Sequence, residues 1–222
     1  MTTISASILF GIVSTQSIAG TLYKVSNNEL PYANEVVNQK KYKDMPSYPE
    51  PGSSSSWWLC GHAAFATAIN VLRTTPANHA SQLEWFHTQL LNQGTWYRDK
   101  AKNPHRMAYG DDIAAIMNKN STFSVKKETT TERGVIKDKL IRALTSPEKQ
   151  QVVALTKLHG WGHFVVVHEI YSDPSGTGGG YVKFADPYGG IASSKMGYTE
   201  FLNGMDSAGT KGRHSFWIVA KK

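Results

Sequence analysis

The apolar residues of this chain change their spacing about two-thirds of the way along it, and that change decides what it can fold into. From Cys60 to Leu72, the residues Ala64, Phe65, Ala68, Ile69 and Leu72 recur at helical intervals. The alanines add intrinsic helix preference, and Thr74-Thr75-Pro76 supplies a stop. Ala80 to Leu91 repeats the pattern through Leu83, Phe86, Leu90 and Leu91. A short helix is expected after Gly110, with Asp111 as its N-cap and Ile113, Ile116 and Met117 inside, and another over Val135 to Leu144. Beyond Gln151 the period becomes two. Gln151–Leu158, His163–Tyr171, Tyr181–Ala185 and His214–Ala220 read as strands, and Asp173-Pro174-Ser175-Gly176 with Gly178–Gly180 makes the second and third a hairpin. Helices first and a mainly antiparallel sheet after them predict an α+β fold: an N-terminal helical lobe packed on a C-terminal sheet, with a cleft between them.

Upstream of Cys60 the character is different. Residues 20–56 are rich in Pro, Ser, Asn and Lys and read as an extended polar lead-in. Residues 1–19 have the make-up of an export signal: Ile4 to Val13 is mostly apolar, and Ser17-Ile18-Ala19 places small residues where a signal peptidase cuts. Met1-Thr2-Thr3 lacks the usual Lys or Arg, and a buried N-terminal strand is the alternative. The apolar stretch is too short for a membrane span, so no stable membrane insertion is expected. These features predict a secreted or periplasmic protein whose working domain runs from 57 to 222. The net charge of +7 suits an anionic partner such as a cell-wall polymer. The basic residues form no long run, and no nucleic-acid motif is present, so nucleic acid is not an expected partner.

Cys60 is the single cysteine, which excludes an internal disulfide. It stands where the first strong helix begins, and the free N–H groups of a helix's first turn favour a thiolate. Gly61 allows close backbone approach, and the Cys60 amide is a candidate oxyanion donor. His163 opens a β-prone run after Trp161-Gly162; a strand end is a rigid support for a base that must reach across a cleft. The chain has eight histidines. His159 competes for the role from four residues upstream, His168 falls on the other face of the same strand by alternation, and His62 points away from Cys60 on a helix. Asp186 follows the strand expected beside His163 and can orient its imidazole. It also reads as an ordinary Asp-Pro turn, Asp186-Pro187-Tyr188-Gly189. Trp57, Trp58 and Trp161 are candidate groove walls. No zinc-ligand pair, phosphate-binding glycine loop or serine nucleophile elbow is found.

Three segments resemble those of papain-like cysteine peptidases, most closely the C39-like branch related to bacteriocin-leader peptidases. They are Trp58-Leu59-Cys60-Gly61-His62-Ala63-Ala64, Gly162-His163-Phe164-Val165-Val166-Val167 and Asp186-Pro187-Tyr188-Gly189-Gly190. Tyr198-Thr199-Glu200-Phe201-Leu202 resembles the helix that commonly follows. The resemblance implies Cys60 as nucleophile, His163 as base and Asp186 as orienter, acting through a thioester on a protein or peptide substrate without a cofactor. There is one departure. The family carries an oxyanion glutamine six residues before the cysteine, and this chain has Ser54 there. Ser54, Ser55, Ser56 or a folded-back Gln39 are the candidate replacements, and the sequence does not choose among them. With none, transition-state stabilisation falls by ~3 kcal/mol. A cell-wall peptide amidase, a transglutaminase-like acyl transferase and an inactive binding module of the same fold are the competing readings.

Overall fold

In the computed structural model, which describes residues 20–24, 34–42, 59–73, 78–92, 110–172, 179–208 and 214–222, the period-two segments join one seven-stranded sheet. Its strands are β1 (Thr21–Lys24), β2 (Phe123–Thr130), β3 (Gln150–Leu158), β4 (Trp161–Ser172), β5 (Gly180–Asp186), β6 (Ile191–Gly197) and β7 (His214–Lys221). Every neighbouring pair is antiparallel, in the order β2-β7-β3-β4-β5-β6. Strand β4 is long enough to take two partners along one edge: β3 pairs with its first half and β1 with its last residues. The helices are α1 (Cys60–Leu72), α2 (His79–Asn92), α3 (Gly110–Asn120), α4 (Arg133–Leu144) and α5 (Tyr198–Ala208). The fold is α+β, as the switch of period predicts.

The sheet is covered on both faces. Phe164, Val166, Ala185, Trp217 and Val219 pack with α1, α2 and α3. Their sequence neighbours Val165, Val167, Phe184 and Phe216 face the opposite way, onto α4 and α5. Strand β4 is therefore buried without a break from His163 to Ile170, as a doubly covered strand requires. The helices expected to form one N-terminal lobe are divided: α1, α2 and α3 cover one face, while α4, over the expected Val135–Leu144, lies with α5 on the other.

Two strands carry no period-two signal. Strand β2 has its buried apolar residues, Phe123 and Val125, at its start and then turns charged. Strand β6, Ile-Ala-Ser-Ser-Lys-Met-Gly, has no buried residue. Both lie at sheet edges, where polar sequences are the rule. The expected lead-in is partly built into the fold: β1 pairs with β4, and Val36 and Val37 are buried in the core beside α1. The Val37 N–H donates to Thr67 Oγ1 at 3.0 Å, and Asn70 Nδ2 donates to the Glu35 carbonyl at 3.0 Å. Two valines in a polar stretch leave no periodicity to read. Asp111 is not a cap; it sits in the first turn of α3 and accepts from Lys127 Nζ and Trp217 Nε1. The expected export signal lies outside the described residues, and no helix among the described residues is long and apolar enough to cross a membrane.

Helix α5 crosses β3 at Gly204. A Cβ built there would lie 2.3 Å from Thr156 Oγ1 and 2.8 Å from the Lys157 nitrogen. Helix propensity favours Gly→Ala by up to ~1 kcal/mol, but here backbone would have to move, at about 1–3 kcal/mol. Gly204→Ala should therefore lower the denaturation midpoint in urea, against the propensity trend. A raised midpoint would show that α5 is not seated this closely.

Candidate active site

Helix α1 is mostly apolar and buried along its whole length, its polar residues His62, Thr67 and Asn70 included, so its ends are fixed by the layers above and below. Its first residue is Cys60, at 1% exposure. No acidic side chain occupies its first turn and no side chain caps it, which leaves the first N–H groups free of a competing anion from their own helix.

The sheet delivers the second group. Strands β3 and β4 are joined by a two-residue turn, His159-Gly160, with Leu158 paired to Trp161. Both turn residues have positive φ, 56° and 91°, as the tight hairpin turns that match strand twist require. Two residues into β4 stands His163, fully buried. Strand β5 pairs with β4 only from Val166 onward, so its last residue, Asp186, lies beside the start of β4.

Asp186 binds two imidazoles. His163 Nε2 lies 2.7 Å from Oδ1, His159 Nε2 lies 2.9 Å from Oδ2, and the Tyr188 N–H donates to Oδ1 at 2.8 Å. Burial alone would raise the carboxyl's pKa. The His163 bond and charge, then the His159 bond and the Tyr188 N–H, outweigh burial and hold it down to about 2. An ionised carboxylate only accepts, so both histidines carry a proton on Nε2. The remaining nitrogen of His163, Nδ1, is buried and makes no hydrogen bond of regular geometry. Cys60 nonetheless acts on this ring, both as a hydrogen-bonding partner and as a charge. The Cys60 thiol is thus near enough to this ring to raise its pKa.

Burial would push His163 down; hydrogen bonding to Asp186 and Cys60, and the charges of both, push it up to about 9. His168 is a control within the same strand. It is also buried, Glu169 and Lys183 beside it act in opposite directions, and burial takes it down to about 4. Among the described histidines, only His163 has a carboxylate on one side and is acted on by the Cys60 thiol. His159 reaches the same carboxylate from the partly exposed turn, and His62 is buried with its ring edge-on to Phe86.

Cys60, His163 and Asp186 are thus brought together. Trp161 lies at the rim, its ring 5.9 Å from His159 and 6.0 Å from Tyr188. Ser54 and Trp58 lie outside the described residues. Gln39 is buried, and its N–H donates to the Pro187 carbonyl at 2.9 Å, next to Asp186. The segment leading to it runs antiparallel to α1, Glu35 beside Asn70 and Val37 beside Thr67, and so heads toward the helix end that carries Cys60. Tyr188, whose ring lies 4.7 Å from His159 and under Lys40 Nζ, is a site residue the sequence did not single out; its place after Asp-Pro was the available signal. His159, His163 and Asp186 bring three ligating atoms within 4.8 Å of one another. Each imidazole nitrogen in that group is already bonded to its own carboxylate oxygen.

No protein-family model and no curated protein matches the chain. Solved structures similar to it include UfSP from C. elegans, at 13% identity and a TM-score of 0.47, covering 95% of this chain and 36% of that one. The chain therefore spans about a third of that protein's length.

The two shifts define a pH window. A histidine raised from 6.5 to about 9 contributes stability fully below 6.5 and loses it as pH rises through about 9. A carboxyl lowered from 3.8 to about 2 contributes above 3.8 and loses it as pH falls through about 2. Asp186→Asn should therefore destabilise the protein most between these limits, with the loss narrowing above about pH 9. It should also lower the His163 pKa, read from imidazole shifts by NMR. An unchanged His163 titration would mean that Asp186 is not its partner.

Proposed function

We propose that this protein is a cysteine hydrolase of papain-like design that cleaves a peptide or related amide bond through a thioester on Cys60. The observation that carries the reading is a buried imidazole, His163, joined to the Asp186 carboxylate at 2.7 Å and acted on by the thiol of Cys60. That arrangement supports a thiolate–imidazolium pair. Cys60 Sγ attacks the carbonyl carbon, and the negative charge passes to the carbonyl oxygen. His163 Nδ1–H protonates the leaving amine, and a thioester remains. His163 then takes a proton from water, whose oxygen displaces Sγ, and the acid product leaves. Asp186 stays ionised throughout and holds the ring. The oxyanion donors in this reading are the N–H of Cys60 and the side chain of Gln39, whose backbone is tied to Pro187 beside Asp186 and which would replace the glutamine absent at Ser54. Net charge +7 supports a substrate in an anionic setting, such as peptide bonds of a cell wall, and the make-up of residues 1–19 supports export.

One observation favours a second reading, a binding module without activity: Cys60 is only 1% exposed. Alkylation separates the two. Iodoacetamide should modify Cys60 readily at pH 6 in the wild type and much more slowly in His163→Ala; equal, slow rates in both would leave the binding module. Cys60→Ala should abolish hydrolysis of peptide amides with the circular-dichroism spectrum unchanged. Gln39→Ala should lower kcat about 100-fold yet leave alkylation near the wild-type rate, because displacement at iodoacetamide generates no oxyanion. Parallel loss of both in Gln39→Ala would make Gln39 structural.

A further inference from the structure

His159 occupies a position that its own backbone disfavours. It is the only non-glycine residue with positive φ among the described residues, at 56°. The first place of such a two-residue hairpin turn suits Asn, Asp or Gly, whose small or self-bonding side chains tolerate left-handed backbone. The chain has Gly at the second place and a longer, ring-bearing side chain at the first. That ring is aimed. It lies 4.7 Å from the Tyr188 ring and 5.9 Å from Trp161, and its Nε2 meets Asp186 Oδ2 at 2.9 Å. Asp186 is 3% exposed, so water is a poor substitute for this donor. Oδ1 already holds His163 and the Tyr188 N–H. Without a donor on Oδ2, the carboxylate would be free to rotate about its Cβ–Cγ bond and offer either oxygen to His163.

We propose that His159 is a positioning residue, retained at the turn against backbone preference because it pins the Asp186 carboxylate and so fixes the imidazole that serves Cys60. The proposal rests on the cysteine-hydrolase reading for its purpose but not for its geometry. The ionisable groups facing His163 and Asp186 are Cys60 from α1, Tyr188 from the turn after β5 and His159 itself, with Lys40 Nζ over the Tyr188 ring.

The turn gives a test that a merely structural residue would fail. In the full chain, His159→Asn installs the preferred turn residue but a side chain too short to span the distance. His159→Gln keeps the reach, with its amide N–H near the position of Nε2. His159→Asn should hold or raise the melting temperature while slowing Cys60 alkylation at pH 6 about tenfold, the worth of one hydrogen bond to a charged group, and shifting the His163 titration seen by NMR. His159→Gln should restore most of the rate. An alkylation profile and a His163 titration equal to wild type in His159→Asn would overturn the proposal. So would a melting temperature that falls together with the rate in both variants. If His163→Ala itself leaves alkylation unchanged, the hydrolase reading fails alone; a His163 titration moved by His159→Asn and restored by His159→Gln would still establish the positioning role.

Discussion

The Asp186 carboxylate is the interaction on which the site depends. It is a buried charge, and burying a charge is costly unless donors replace the water it loses. Here three donors do so, and they come from three places: the start of β4, the turn before it and the turn that follows β5. Each oxygen is assigned, so the tautomer of each histidine is assigned too. The backbone beside it is also used, because the Pro187 carbonyl anchors Gln39. The Asp186 side chain therefore joins the start of β4 and the two turns beside it, and the backbone next to it holds the segment of Gln39.

Strand β4 shows how much environment outweighs residue type. His163 and His168 share a strand and are both buried. One is raised to about 9 and the other lowered to about 4. Burial acts in the same direction on both; the difference is the Asp186 carboxylate and the Cys60 thiol that act on His163. The sheet makes this contrast possible because helices cover both its faces, so neither ring can escape to solvent along the strand.

The core elements were legible because their signals are physical and local. Helix α1 and strands β3, β4, β5 and β7 bury one side or both, and their apolar spacing shows it. Cys60, His163 and Asp186 were legible from their places at the ends of those elements. The rest depends on contacts distant in sequence. Strand β2 is a strand because β7 pairs with it along eight residues, not because of its own pattern. Val36 and Val37 are core because α1 presents Thr67 and Asn70 to the backbone beside them. Gln39 is one of four open candidates in the sequence, and only the fold shows its backbone at Pro187; the double use of Asp186 by His159 and His163 likewise needs the turn geometry to be seen.

The tie between Gln39 and Pro187 has a consequence for how the protein is made. A ribosome releases the chain from its N-terminus, and residues 35–39 emerge before any strand of the central sheet except β1. Their anchor at Pro187 emerges last but for β6, α5 and β7, and β7 itself lies between β2 and β3 and joins them into one sheet. Contacts that join such distant parts of a chain form late and slowly. A nascent chain would hold Cys60 without its completed surroundings until β5, the turn at Pro187 and β7 have been made.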